Sequence, residues 1–567
     1  MTHSESAPPS APRSPLGEII GSAAVAAIWP AVLALQSLDV SDPGLHLAQQ
    51  LQVLHYGTES AFGLVGLSDG IGALWLALTA DLGLYWVRFG WVLAVTMAIA
   101  IGAVTTVGSL PRITLLVGAL ATSTLLSARS LLILSYDSVA PLLLTLSAVL
   151  LVAALRGRSA AAIAAGGVAA LALLSRLTVA PALALGLVPA LFDRRGRRMS
   201  AGYLSGLAGA SILLFLLLLS SQQLGAFLET YREQLTAVGE IGHAGRFAQT
   251  VLRQLPFLGV TTLLGILLLG IDRRTARSRL RKPTGALTVL AVVALGLLLP
   301  LEGAAWNRTA VLAVGLLYPL GLTRLLSEWK RREDPVAQTR IVLLVAGLGL
   351  PLIMTVGASA GLGKALNGMT LLPFALLWSY ASRTNKELPS TDSTESHSGV
   401  WALSAVTFAS LWLTLSLVHR DAPRRDLGAR TEAPFSRSVL TSSSAAEKID
   451  RAVSAIREHA GPQPLMITSG YVALLILIAD AVPPDISTHV DLSPLSPRQR
   501  EDAFRQVCAI QEPVWLLSTT TPLWRERPTA RMTERHEDAV RLADATCFEE
   551  PVWSEDGWSL RRSRPSP

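Results

Sequence analysis

Long apolar runs, broken by short polar punctuation, fill the first three quarters of the chain. About 20 mostly apolar residues are needed to cross the roughly 30 Å hydrocarbon core of a bilayer. By that measure about thirteen spanning helices are predicted: Ile19 to Leu38, Tyr85 to Val107, Ile113 to Leu126, Val139 to Leu155, Ala160 to Leu174, Val179 to Phe192, Ala201 to Leu219, Leu255 to Ile271, Ala286 to Leu301, Ala310 to Leu322, Ile341 to Val356, Met369 to Tyr380 and Val400 to Leu417. Two shorter stretches come after the first run. In "GLHLAQQLQVLHYG", Leu47, Leu51 and Leu54 repeat at i, i+4, i+7, with His46 and Gln50 on the opposite side, the pattern of a helix lying on a membrane surface. Ile71 to Leu78, bounded by Asp69 and Asp81, is too short to span and predicts a second interfacial helix. After Ala422 the pattern changes. "PLMIT" and "PVWLLSTTT" read as buried strands, and "KIDRAVSAIREH", "SPRQREDAFRQVCAI" and "ERHEDAVRLADA" as amphipathic helices. "YVALLILIADA" reads as a core helix and "EPVWSEDGWSLRRSR" as a hairpin turning at Asp-Gly.

The predicted fold class is therefore an all-α polytopic membrane bundle carrying a small α/β domain. The organisation is a disordered Ser/Pro-rich segment over 1–18, a transmembrane domain over 19–418 with external loops 39–84 and 220–253, a linker over 419–447, and an extracytoplasmic domain over 448–567. Composition excludes an ordinary soluble protein: mean hydropathy is +0.45, 51% of residues are hydrophobic and only 16% charged. Charge then sets orientation. "RGR" (Arg156 to Arg158), "DRRGRR" (Asp193 to Arg198), "IDRRTARSRLRK" (Ile271 to Lys282) and "EWKRRED" (Glu328 to Asp334) fall on one face when the spans are counted, and basic short loops stay in the cytoplasm. The N-terminus is then inside and the C-terminus outside. Use of Arg over Lys, with abundant Ala, Leu and Gly, fits a bacterial inner membrane. The net charge of +7 reflects these inner loops, so no nucleic-acid partner is implied. The two cysteines, Cys508 and Cys547, both fall in the external domain. An oxidising compartment favours a disulfide between them, and two buried free thiols are the alternative.

Chemistry is expected at the outer face. "SLDVSDPGLHLAQQ" places Asp39 and Asp42 directly after the first span. Asp42 before Pro43 suits a helix N-cap, and equally a catalytic carboxylate, with Asp39 as the second candidate. Arg88, Arg129, Arg176 and Lys364 are ionisable groups near the outer ends of spans. Each either snorkels to the interface or contributes to a cationic site for a lipid phosphate. Asp137, beside Tyr136, and His243 are candidates for binding a metal, Mg or Mn, or for orienting a donor. No P-loop, HExxH, GxSxG or CxxC motif is present.

The layout resembles the polytopic glycosyltransferases of the GT-C superfamily, such as protein O-mannosyltransferases and aminoarabinose transferases. "SDPGLHLAQQ" resembles the Asp-Glu-Gly-type start of the family's first external loop, with Asp42 and Gly44 matching and Pro43 in place of the second acid. "GALWLALTADLGLYWVRFGWVLAV" resembles the second interfacial helix and the entry to the second span, with Arg88 matching. The stretch from "SYDSVAPLLL" to "LVPALF" resembles the block of the fourth to sixth spans, with Asp137 at the acidic position. The resemblance implies an inverting transfer of a sugar from a polyprenyl-phosphate donor to an extracytoplasmic acceptor, with Asp42 as the base and cations or a metal holding the leaving phosphate. The rivals are a transporter or flippase, whose sites lie near the bilayer midplane, and a non-catalytic envelope-assembly protein. The spans are nearly free of ionisable groups and the candidates gather at the outer face, which favours surface chemistry.

Overall fold

The computed structural model describes residues 14–564 except 58–65, 129–131, most of 221–242 and of 276–304, 356–360, 382–397, 417–420, 487–490, 493–494, 522 and 524–529. The described chain is mostly helical. In the membrane part the helices are α1 (Pro15–Ala34), α2 (Asp42–Tyr56), α3 (Gly66–Thr79), α4 (Leu84–Thr106), α5 (Arg112–Ser127), α6 (Tyr136–Leu155), α7 (Ala160–Ser175), α8 (Arg194–Ser220), α9 (His243–Thr275), α10 (Ala305–Trp329), α11 (Pro335–Thr355), α12 (Leu372–Ala381) and α13 (Ser398–Ser416). Among the described residues seven helices are long and apolar enough to cross a membrane: α1, α4, α6, α8, α10, α11 and α13. The α5 and α7 helices are apolar but have 16 residues each, about 24 Å of rise. The predicted span Val179 to Phe192 is not an α-helix. It forms a 3₁₀ helix, Leu177–Leu191, in which Pro181 and Pro189 each remove a backbone donor. Met369 to Tyr380 yields only the ten-residue α12, and Ala286 to Leu301 lies mostly outside the described residues. Several crossings are therefore present, and the count of thirteen is not established.

Three of the basic stretches, those at Arg156, Asp193 and Glu328, lie at one end of the bundle, and Ile271 to Lys282 falls mostly outside the described residues. Arg156, after α6, donates to the Thr105 carbonyl at the end of α4 (2.9 Å). The ring of Trp378 on α12 lies under both Arg156 and Arg340. Arg340 pairs with Glu328 at 3.3 Å, and Phe192 stacks against Trp329. Asp39, Tyr136, Arg176 and Lys364 are held by contacts at the opposite ends of these helices.

The tail folds as the pattern predicts. Helices α14 (Ser443–Ala460), α15 (Leu475–Ile478), α16 (Pro497–Cys508) and α17 (Ala530–Ala545) surround strands β1 (Leu465–Ser469), β2 (Val514–Thr519), β3 (Trp553–Glu555) and β4 (Trp558–Arg562). The sheet order is β1-β2-β4-β3, with β1 parallel to β2 and the rest antiparallel. Ser442 caps α14 by accepting from the Ala445 amide, and Ser496 and Gln499 form a capping box on α16. Asp556 and Gly557 turn the β3–β4 hairpin with positive φ, as a two-residue Asp-Gly turn requires. Cys508 and Cys547 are joined by a disulfide.

Two outcomes check this architecture. Alkaline phosphatase fused at the C-terminus is expected to be active, and a fluorescent protein inserted at Thr275 to fluoresce in the cytoplasm. A silent phosphatase would invert the proposed orientation. The cystine closes a stretch 39 residues apart in sequence, so replacing Cys508 and Cys547 by Ser is expected to cost the tail about 3–4 kcal/mol, read as earlier urea unfolding of the tail.

Candidate active site

The α6 helix opens on Ser135, whose hydroxyl accepts from the Asp137 amide (3.3 Å), while Ser138 Oγ accepts from the Ser135 amide (3.1 Å). This reciprocal cap fixes Tyr136 and Asp137 in the first turn, where the helix dipole favours a carboxylate. Arg176 ends α7 in extended backbone, which turns its side chain to α6. Its Nη1 pairs with Asp137 Oδ1 at 3.0 Å. Its Nε donates to Thr178 Oγ1 at 2.8 Å and its Nη2 to the Met354 carbonyl at 3.3 Å. Lys364 comes from the 3₁₀ helix Gly361–Gly368, and its Nζ pairs with Asp137 Oδ2. The Tyr136 ring lies beside both cations, 5.1 Å from Arg176 Cζ and 5.2 Å from Lys364 Nζ. All three charged side chains are 5 to 8% exposed. One carboxylate therefore serves two buried cations.

The first external segment docks on this group. His46, on α2, meets Tyr136 edge to face, with centroids 5.1 Å apart. Asp42 lies four residues before His46, hence on the same side of α2. The α2 helix begins at Asp42, with Ser41 at the cap position, so Asp42 stands inside the first turn and not at the N-cap. Asp39 is buried, and its Oδ1 accepts from the Ser41 amide (3.0 Å) and the Ser41 hydroxyl. Arg88 is fully buried and donates to the carbonyls of Ala34, Gln36 and Ser37 at 3.2, 3.4 and 2.8 Å. It satisfies the carbonyls that α1 leaves at its end. The structure thus brings Asp137, Arg176 and Lys364 together, docks the helix of Asp42 on them, and gives Arg88 to the end of α1. Arg129 and the side chain of His243 lie outside the described residues.

The tail covers part of the leucine stripe of α2 and leaves Leu54 exposed. Leu47 is buried and Leu51 packs beside it, in a cluster with Val472, Ala473, Leu474 and Leu475 of the tail. A longer exposed apolar stripe runs along α3, through Ile71, Leu74 and Leu78. The tail also pairs with the chain on both sides of Asp39. The Leu38 amide donates to Asp421 (2.7 Å), Ser37 to the Leu440 carbonyl and Leu440 to that of Leu35 (both 2.8 Å), and Leu474 to that of Val40 (3.0 Å). Gln52 Nε2 donates to the Pro484 carbonyl at 2.8 Å. Residues 421–441, expected as linker, are thus pinned along the first external segment. At Gly44 a Cβ would stand 2.1 Å from the Leu474 nitrogen, so the residue matched to the family glycine is one the tail leaves no room to change.

Sequence pattern does not single out three groups at this face. His46 and Tyr136 are the aromatic bridge between α2 and α6. Asp69, on α3, is buried with an Oδ1 that has no hydrogen-bond partner, and burial pushes its carboxyl up to about 7. Its one signal in the sequence is an acid bordering an apolar run. The donor set does not fit a divalent metal. Both oxygens of Asp137 are occupied by cations, and among the described residues no three His, Cys, Asp or Glu side chains converge.

No protein-family model matches the chain, and no curated protein does. Among solved structures it is similar to ArnT from Cupriavidus metallidurans bound to undecaprenyl phosphate, with 13% identity, a TM-score of 0.42, and coverage of 98% of this chain and 100% of that one. It is also similar to the Archaeoglobus fulgidus oligosaccharyltransferase tethered to an acceptor peptide, with 12% identity, a TM-score of 0.45, and coverage of 97% and 74%.

Gly44→Ala is expected to destabilise the protein by about 1–3 kcal/mol, because backbone must move to admit the methyl group. Thermal unfolding of the detergent-purified variant against wild type checks this. An unchanged midpoint would mean that the tail does not press on α2.

Proposed function

We propose that the chain is a membrane glycosyltransferase that moves a sugar from a polyprenyl-phosphate donor to a hydroxyl of an extracytoplasmic acceptor, with inversion. The observation that carries this reading is the Asp137–Arg176–Lys364 group: two buried cations on one carboxylate. Two cations held side by side out of water attract an anion that can share them. A phosphate monoanion at the outer membrane interface has the charge and the oxygen acceptors to do so. The resemblance of "SDPGLHLAQQ" to the family's first external loop supplies the other half, a carboxylate beside the cations.

In this mechanism Asp42 accepts the proton of the acceptor hydroxyl. The oxygen attacks the anomeric carbon from the face opposite the phosphate. The bond from that carbon to the phosphate oxygen breaks, and its electron pair leaves with the polyprenyl phosphate. Arg176 and Lys364 stabilise the charge that develops on the leaving oxygen. Asp137 holds the two cations in place and takes no proton. Asp39, tied to Ser41, shapes the turn that presents Asp42.

The test is incubation of the purified protein with polyprenyl-phosphate mannose, glucose, arabinose and aminoarabinose, following release of sugar. Wild type is expected to act on at least one of them. Asp42→Asn is expected to lower that rate by about 10²–10⁴-fold while leaving the unfolding midpoint near wild type. Full activity in Asp42→Asn would move the base elsewhere, and no release from any donor would count against the transferase reading.

A further inference from the structure

Lys364 is one of three residues spaced three apart: Lys364, Asn367 and Thr370. Lys364 and Asn367 lie in the 3₁₀ helix Gly361–Gly368, where side chains three apart lie one above the other, and Thr370 follows in the turn just beyond it. The two ends of the row both touch α6, since Lys364 pairs with Asp137 and the Thr370 hydroxyl shares a hydrogen bond with that of Thr145 at 2.6 Å. Asn367 lies between them, on the same face and directly below Lys364. It is 6% exposed, and its Nδ2 has no hydrogen-bond partner.

The α6 residues between those two anchors explain the missing partner. From Ser138 to Leu144 they are mostly apolar, and the carbonyl of Pro141 already accepts from Thr145 Oγ1 at 2.7 Å. The 3₁₀ helix cannot roll to find another acceptor. A Cβ at Gly363 would lie 2.0 Å from the Trp306 ring, one at Gly368 would lie 2.5 Å from the Leu350 carbonyl carbon, and the Leu362 amide is held by Gln254 Oε1 at 3.2 Å. An amide donor is thus fixed, buried and unused, in line with the lysine that meets Asp137. Buried donors are nearly always satisfied, and an orphan calls for a partner.

We propose that Asn367 is a ligand-contacting residue whose side-chain amide donates a hydrogen bond to an oxygen of the donor's head, alongside the charge supplied by Arg176 and Lys364. This rests on the transferase reading above. The oxygen belongs either to the phosphate or to a sugar hydroxyl, and both are acceptors an amide can recognise.

The experiment uses the full chain in lipid nanodiscs, as wild type and Asn367→Leu, with two probes: undecaprenyl phosphate alone, and whichever undecaprenyl-phosphate sugar of the panel the wild type cleaves. Asn367→Leu keeps the number and branching of the side-chain heavy atoms and removes the donor. Its affinity is expected to fall roughly 3- to 10-fold if the acceptor is a sugar hydroxyl and roughly 10- to 100-fold if it is the charged phosphate. Its ligand-free unfolding midpoint is expected to hold or rise, because the orphan has gone. Loss with both probes assigns the phosphate, and loss with the sugar-bearing probe alone assigns a hydroxyl. Unchanged binding of both probes overturns the proposal, as does a falling midpoint with unchanged binding, the mark of a purely structural amide. Asn367→Ala carries the same reading if the leucine variant does not fold. A wild type that binds neither probe fails the transferase reading itself, a result distinct from a variant that binds as well as wild type.

Discussion

One buried carboxylate with two cations ties together the end of the bundle that carries the candidate site. Asp137 cannot stand in this environment alone, and neither can Arg176 or Lys364, because an unpaired charge in low dielectric costs far more than a paired one. Each partner comes from a different part of the chain: the first turn of α6, the last residue beyond α7, and a 3₁₀ helix almost two hundred residues later in sequence. Satisfying one electrostatic demand therefore fixes three elements. The backbone carbonyl of Met354, which accepts from Arg176, adds the end of α11. A site built this way is rigid because its parts cannot separate without exposing bare charge.

The second dependence runs through the tail. The turn that carries Asp39 and Asp42 has no regular structure of its own between the end of α1 and the start of α2. It is shaped from both sides. Below it, Arg88 gathers the last carbonyls of α1. Above it, Asp421, Leu440 and Leu474 pair with backbone at Leu38, Leu35 and Ser37, and Val40. The tail is thus part of the wall that holds α2, through His46, against Tyr136 and not a separate appendage. A backbone approach as close as that of Leu474 to Gly44 requires complementary surfaces over the whole cluster from Leu47 to Ile476.

Much of this is legible in the sequence, for physical reasons that also explain the rest. Apolar runs report burial in lipid or core, so the long helices and the strands of the tail can be read directly. Compartment logic points to the pair Cys508 and Cys547, with free thiols left open, and the structure joins them. Pattern cannot tell which surface covers an apolar stripe, so it cannot show that the tail covers Leu47 while Leu54 stays exposed. Apolarity also cannot separate an α-helical span from other helix, and the predicted span holding Pro181 and Pro189 is a 3₁₀ helix. Asp137, Arg176 and Lys364 are each visible as costly charges near the membrane, yet their union is not, because pairing across such distances in sequence leaves no local trace. Asn367 has no signal at all: a lone amide in an apolar run means nothing until its neighbours are known.

The charge balance at Asp137 has a consequence for the proposed chemistry. Two bare cations would hold a phosphate strongly in every state, before and after the sugar leaves. Binding that is equal in ground and transition states lowers KM without raising kcat. It would also slow release of the lipid phosphate product. A carboxylate shared between the two cations weakens the field they present to the intact donor, whose phosphate diester carries a single charge. As the bond to the anomeric carbon breaks, the leaving oxygen gains charge, and the same cations can shift part of their interaction from Asp137 toward it. The carboxylate then works as a counterweight, keeping the resting site close to balance so that the gain falls where charge develops. Asp137 thereby matters to catalysis although it touches no proton, and the pairing that holds the fold together is the same pairing that tunes the site.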